Sequence, residues 1–310
     1  MEQPEAKEEA VIQLNDPPTA RAGAEAPVAA VAVTPQASAA SCPTCAAAQA
    51  SAIASPPACV YVIGHIEPRY PLLSVEKEAM QAVSRAGVTK DTDRQIMAKV
   101  LQDPNNKYLV RQLCWVLLVQ GIETYILMPR DGNYQPLVDT YRAEPNPGDL
   151  ELVIGLRGPI APPTMCNGLL VPIVIFDQIY AFDRKSLLDS IPVPKDADGK
   201  KFAAAASEMF DRIIQQSDNH GATPEDIAKN YLAVRYARIY ALAAEQFAEN
   251  RSFTSIDVLP SPLSGTRKVF DVVFSFTDRA TDVVSKYFVR VDVTECFPFL
   301  ASKMSPYFDR

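Results

Sequence analysis

Residues 268–293, KVFDVVFSFTDRATDVVSKYFVRVDV, alternate apolar and polar side chains over two stretches separated by the polar run Thr277 to Asp282. A period of two puts alternate side chains on opposite faces, so this region reads as two strands around a polar turn. SFTSIDVL, just upstream, has the same character and supplies a third strand, which gives a C-terminal antiparallel meander.

The rest of the chain groups its elements instead of alternating them. VYVI at Val60 to Ile63 predicts a short strand closed by Pro68 and Pro71. Ser74 is placed to cap a helix with Glu76 and Glu78 early and Val75, Ala79, Ala82 and Val83 along one stripe. A second helix is expected from Asp91 or Thr92, burying Ile96, Val100 and Leu101. NKYLVRQLCWVLLVQG reads as a core helix carrying Leu109, Leu113, Cys114, Val116 and Leu117 and ending at Gly121. IETYILMP, LELVIGLRG and LLVPIVIFDQIYAF read as strands. Helices return near Asp183, over 202–217, and again from Thr223-Pro224-Glu225-Asp226 to about Asn250. The fold class is therefore α+β: helices packed on a mixed or antiparallel sheet, with the C-terminal meander.

Residues 1–57 differ in kind. Ala and Pro dominate, large apolar side chains are almost missing, and burial could not offset the entropy of ordering them, so a disordered Ala/Pro-rich tail is expected there, followed by one globular domain over 58–310. Lys and Arg number 30 against 37 Asp and Glu, a formal net charge of −7 with no concentrated basic surface, which argues against a nucleic-acid partner. No apolar run is long enough to span a bilayer, and the acidic MEQPEAKEEA is unlike a secretory leader, so a cytoplasmic protein without a membrane partner is expected.

Chemistry-bearing residues are sparse. The two histidines, His65 and His220, have no local nucleophile or acid in a recognisable spacing, and no nucleophile elbow, phosphate loop or dinucleotide fingerprint occurs. Arg111, Arg157 and Asp177 each interrupt an apolar element, and a charge in such a place needs a partner. Either it forms a structural salt bridge or faces solvent, or it belongs to a polar cleft that holds a peptide carboxylate or backbone, for which the planar guanidinium is suited. Six cysteines in a reducing compartment predict free thiols or metal ligands over structural disulfides. The SCPTC segment holds Cys42 and Cys45 at the spacing of a zinc knuckle, but also of a redox pair, or of a tail without function. Cys59, Cys114, Cys166 and Cys296 remain; Cys114 falls on the apolar stripe, and Cys166 follows a proline-rich turn suited to a ligand.

YVIGHIEPRYPLLSVEKEAMQA, the segments quoted above from NKYLV to the FDQIYAFD strand, NYLAVRYARIYALAAE, LSGTRKVFDVVFSFTDR and FVRVDVTECFPFLASKMSPYFDR together resemble the C-terminal domain of the PatG/PatA cyanobactin maturation proteases, from about Val60 to Arg310. That domain follows the protease domain and is itself of unknown function. The subtilisin-like Asp, His and Ser motifs have no counterpart here, so the resemblance implies a free-standing accessory domain and no inherited peptidase activity. It implies a structural zinc site at Cys42 and Cys45 completed by Cys114 and Cys166. It also implies arginine where this chain has His65. The expected function is a non-catalytic scaffolding module in the biosynthesis of ribosomally made, modified peptides, with a precursor peptide or a modifying enzyme as partner and a possible homodimer. A zinc-dependent peptide-modifying enzyme is the alternative.

Overall fold

The computed structural model describes residues 58–86, 91–193, 198–215 and 218–308. The fold is α+β, with a closed five-stranded barrel, a layer of helices, and a second antiparallel sheet. The expected tail over 1–57, with Cys42 and Cys45, lies outside the described residues.

β1 (Ala58–Arg69), β2 (Cys114–Val119), β3 (Ile122–Pro129), β4 (Asp149–Ile160) and β5 (Pro172–Asp183) close in the order β1-β2-β3-β5-β4. Every pair is antiparallel except β3 with β5. This Greek-key closure is shared with five-stranded OB barrels. Val60, Val62, Trp115, Leu117, Tyr125, Leu127, Val153, Val174 and Phe176 belong to one core together with the apolar side of the first helices. Those are α1 (Leu73–Arg85), α2 (Asp93–Gln102), α3 (Lys107–Gln112) and α4 (Gln135–Thr140). α2 opens on a capping box, Thr92 accepting from Gln95 N and Gln95 accepting from Thr92 N. α1 starts at Leu73 with Leu72 at the cap and no side-chain cap bond, so Ser74 does not have the expected role.

The predicted core helix over 106–121 is two elements. The chain is helical to Gln112, turns extended at Leu113 (ψ 146°), and continues as β2. CWVLLV is buried on both faces, and a continuous apolar run of that length carries no periodicity to separate strand from helix. Gln120 and Gly121 both have positive φ (52° and 80°), so Gly121 serves the two-residue hairpin between β2 and β3 instead of ending a helix. The Trp115 indole N–H donates to Val110 O at 3.1 Å and fastens the strand to the end of α3. β1 is also longer than expected and runs through Pro68. Beyond Gly64 it no longer pairs with β4, so an imino acid is tolerated on that free side.

The outer face of β1 and β4, with Tyr61, Ile63, Leu152 and Ile154, packs on α5 (Arg184–Asp189), α6 (Gly199–Ile214), α7 (Pro224–Arg235) and α8 (Arg238–Ala248). The long helix expected from Thr223 is broken at Tyr236, whose extended backbone separates α7 from α8 and whose hydroxyl accepts from Met304 N at 3.1 Å. The same core includes Phe270, Val272, Phe274, Phe276, Val289 and Val291 of the meander β6 (Arg251–Pro260), β7 (Val269–Asp278) and β8 (Val284–Asp292). Two short strands, β9 (Phe299–Leu300) and β10 (Ser305–Pro306), also pair with β8.

β2 pairs with β1 only from His65 onward, so the first half of β1 has one open edge. The segment between α6 and α7 fills it. Tyr61 N donates to Gly221 O at 2.9 Å, and Tyr61 O accepts from Asn230 Nδ2 at 2.9 Å. Asn230 and Asn219, both buried, exchange amide hydrogen bonds of 2.7 and 3.0 Å. From the β2–β3 hairpin, Gln120 Nε2 donates to Ile214 O and the Tyr125 hydroxyl to His220 O. Apart from the Asn219–Asn230 exchange, which holds the two amides in place, each of these bonds satisfies a backbone group that would otherwise face the seam between barrel and helices.

Candidate functional site

Arg111, Arg157 and Asp177 lie on three different elements, the helix Lys107–Gln112, β4 and β5. Asp177 occupies the bulge of β5 opposite Ile154 and Gly155 and pairs with Arg130, whose Nη2 donates to Oδ2 at 3.0 Å. That is the salt-bridge alternative. Arg157 is exposed on β4, and its positive charge acts on the Tyr125 phenol, whose pKa is nonetheless raised, chiefly by burial. Arg111, on the helix Lys107–Gln112, lines a cavity.

That cavity is a groove of about 260 Å³ on the helical side of the barrel. One wall is the end of α2, the 3-10 turn Pro104–Asn106 and α3; the other is the loop from Gly132 into α4. Leu101, Val110 and Val138, all buried, make its apolar floor. Lys107 and Arg111 stand four residues apart on α3 and therefore on the same side of that helix. Among the described residues neither has an ion-pair or side-chain hydrogen-bond partner. Asp103 sits at the rim, its Oδ1 already accepting from the backbone and side-chain nitrogens of Asn105, both at 2.9 Å. Across the groove Asn133 N donates to Asp131 Oδ1 and Gln135 N to Asn133 Oδ1, which fixes the loop and leaves the Asn133 amide nitrogen available. Lys107 was not singled out from sequence because it precedes the apolar run; its spacing to Arg111 was the available signal.

A wider, shallower hollow of about 800 Å³ lies beside α5. Its Arg184 is already engaged, donating to Ser207 Oγ at 2.5 Å and Asp211 Oδ2 at 2.6 Å.

The described cysteines are paired. Cys114 and Cys166 form a disulfide with Cα atoms 5.7 Å apart, and Cys59 and Cys296 a second at 4.9 Å. This corrects the expectation of free thiols for these four residues. A disulfide sulfur is not a thiolate and does not ligate zinc, so Cys114 and Cys166 are available to a metal only when reduced. The loop after β4 folds over the outer face of β2 and β3 and brings Cys166 against Cys114 in a small cluster with Val116, Ile126 and Ala161. Among the described residues no group of three or more His, Cys, Asp or Glu could hold a metal. His65 is half-buried, and burial lowers its pKa, partly opposed by Glu67. His220 is exposed and uses its backbone carbonyl, not its ring, to hold Tyr125.

Barrel, helical layer and meander thus define an α+β domain that carries a cationic groove and, among the described residues, no assembled nucleophile–base pair. A family model described as "PatG Domain" matches residues 59–250, and one described as "PatG C-terminal" matches residues 196–307. The chain belongs to the PatG domain family. A solved structure described as "PatG Domain of Unknown Function" shares the fold, with a TM-score of 0.65 at 19% identity over 81% of this chain and 98% of that one. No curated protein matches. No helix among the described residues is long and apolar enough to cross a membrane.

Proposed function

We propose that this protein is a non-catalytic binding module of cyanobactin-type peptide maturation that holds a precursor peptide or a modifying enzyme in its groove. Membership of the PatG domain family supports the link to cyanobactin biosynthesis. The observation that carries the binding role is the groove itself, where Lys107 and Arg111 remain unpaired above an apolar floor. Two like charges four apart on a helix disfavour it by a few tenths of a kcal/mol, and a bound anion would reverse that sign. Mixing the purified protein with the precursor peptide and modifying enzyme encoded beside it tests the role. Calorimetry and size-exclusion chromatography are expected to show a complex, and mass spectrometry an unchanged peptide. A reproducible mass change produced by this protein alone overturns the reading.

Zinc enters this reading as a structural ion held by Cys42, Cys45, Cys114 and Cys166 in the reduced protein, where four sulfurs would leave no open position for a catalytic water. After reduction and exposure to zinc, elemental analysis should find one ion per chain in the wild type and none in a Cys42→Ala/Cys45→Ala variant. A reduced wild type without zinc removes the metal from the proposal.

A further inference from the structure

The geometry points to a carboxylate-binding subsite: Lys107 and Arg111 read the carboxylate of an extended peptide laid across the floor made by Leu101, Val110 and Val138. The inference rests on the peptide-binding function proposed above and names the chemical group that function recognises.

Three features of the groove lead there. The first is charge: the two cations share one side of α3, and the one acid on the rim, Asp103, is turned to Asn105. An anion entering between them meets two unsatisfied donors and no competing ion pair, and charge-assisted bonds to such donors are about twice as strong as neutral ones. The second is geometry. Arg111 offers a planar fork that matches the two oxygens of a carboxylate, while Lys107 adds a mobile point charge. The Asn133 amide nitrogen, on the opposite wall, is placed to serve the peptide backbone. The third is size. At about 260 Å³ the groove is smaller than most pockets for whole small molecules, and with its apolar floor it suits a short stretch of peptide chain.

α3 is also held where the subsite needs it. Val110, adjacent to Arg111, takes the hydrogen bond of the buried Trp115 indole, so the helix cannot rotate without breaking it. Trp115 is the sole tryptophan, and its fluorescence reports directly on whether a variant keeps α3 in place.

The test uses the full chain and three fluorescein-labelled peptides of one apolar sequence. One carries glutamates and an amidated C-terminus, the second replaces glutamate by glutamine, and the third is the glutamine peptide with a free C-terminal carboxylate. Anisotropy should show the glutamate peptide binding about tenfold tighter than the amidated glutamine peptide, the strength of one charge-assisted hydrogen bond. Lys107→Gln and Arg111→Gln should each remove most of that difference without shifting Trp115 emission, and Arg111→Lys should restore only part of it. Raising salt from about 50 to about 300 mM should weaken only the carboxylate-dependent part. The free-acid peptide tells the two carboxylate sources apart: tight binding assigns the subsite to a chain terminus, and weak binding to an acidic side chain. Equal binding of all three peptides overturns the carboxylate subsite but leaves the peptide-binding function standing. Binding of none overturns the subsite, and the precursor-peptide experiment then decides the function independently. Inorganic phosphate that displaces the glutamate peptide at concentrations where acetate does not would also overturn it, in favour of a phosphate ligand.

Discussion

Replacing Gly221 by alanine should destabilise the protein by about 3 to 5 kcal/mol, the sum of a left-handed backbone made costly by a Cβ and a severe overlap with its neighbours. Gly221 has φ +64°, and a Cβ there would lie 2.5 Å from Tyr61 O and 2.6 Å from both Cα and Cβ of Val62. These are backbone and a short β-branched side chain in the middle of β1, so no flexible side chain can yield. The Gly221 carbonyl also accepts from Tyr61 N, and any shift that relieves the overlap lengthens that bond. Gly265 is the control: its φ is +53°, but a Cβ there meets nothing within 4 Å. Gly265→Ala should cost about 1 to 2 kcal/mol from backbone strain alone. Urea unfolding of the two variants separates the terms, and equal losses would show that the 218–222 segment does not press on β1.

The size of this effect follows from what the segment does. A barrel strand paired on one side over only half its length exposes backbone groups at its open edge. Here Gly221 and Asn230 satisfy Tyr61, and His220 and Ile214 take bonds from the β2–β3 hairpin. The helical layer is thus bonded to the barrel at one seam, which also holds the hairpin leading into β3 and, through it, the loop that forms one wall of the groove.

Little of that seam could be read from sequence. The meander was legible because two runs rich in β-branched and aromatic residues, Val269 to Asp278 and Val284 to Asp292, flank a polar turn, although the first of them is buried on both faces along most of its length. The barrel strands were legible as strands, but their closure was not. Pairing β3 with β5 in parallel brings together segments some fifty residues apart, and no periodicity records it. CWVLLV reads as helix in the sequence because a segment buried on both faces loses the alternation that marks a strand. Nothing in the polar sequence around His220 marks Asn219 and Gly221 as buried, yet both are; polarity there serves hydrogen bonding to another element, which composition does not reveal. Arg111 of the groove stands out in the sequence as a charge that interrupts an apolar run, but so do Arg157 and Asp177, one exposed and the other paired with Arg130. Glu151 interrupts the apolar run LELVIG in the same way.

Glu151 should make the protein less stable as pH rises from about 4.5 to about 7. It is 3% exposed on β4, between Gly64 of β1 and Ala181 of β5. β1 and β4 stop pairing at Gly64, and the carboxylate takes the next free N–H, with Ile66 N donating to Oε2 at 3.1 Å. Burial pushes its pKa up to about 7; the Ile66 hydrogen bond and the Arg142 charge oppose this only in part, and Glu67 adds to it. In the unfolded chain the group loses its proton near pH 4.5, while the folded protein holds it to about pH 7. Between those values the unfolded state binds fewer protons, so stability is greatest below the lower pKa and falls by about 3 kcal/mol by the time the upper one is passed. Asp183 and Asp278, held below the usual carboxylate range by the backbone N–H groups of Ser186 and Ala280 respectively, act in the opposite sense at lower pH, and their stabilisation is lost as pH falls. A Glu151→Gln variant removes the Glu151 contribution while leaving theirs in place, and glutamine Oε1 can still accept from Ile66. The difference between its stability and that of the wild type, measured by urea unfolding, should be small and nearly constant below about pH 4 and rise to a gain of about 3 kcal/mol at pH 8. A difference that does not change with pH would mean that Glu151 is ionised in the folded protein across this range, with the Ile66 N–H and Arg142 sufficient to hold its charge beneath the barrel rim.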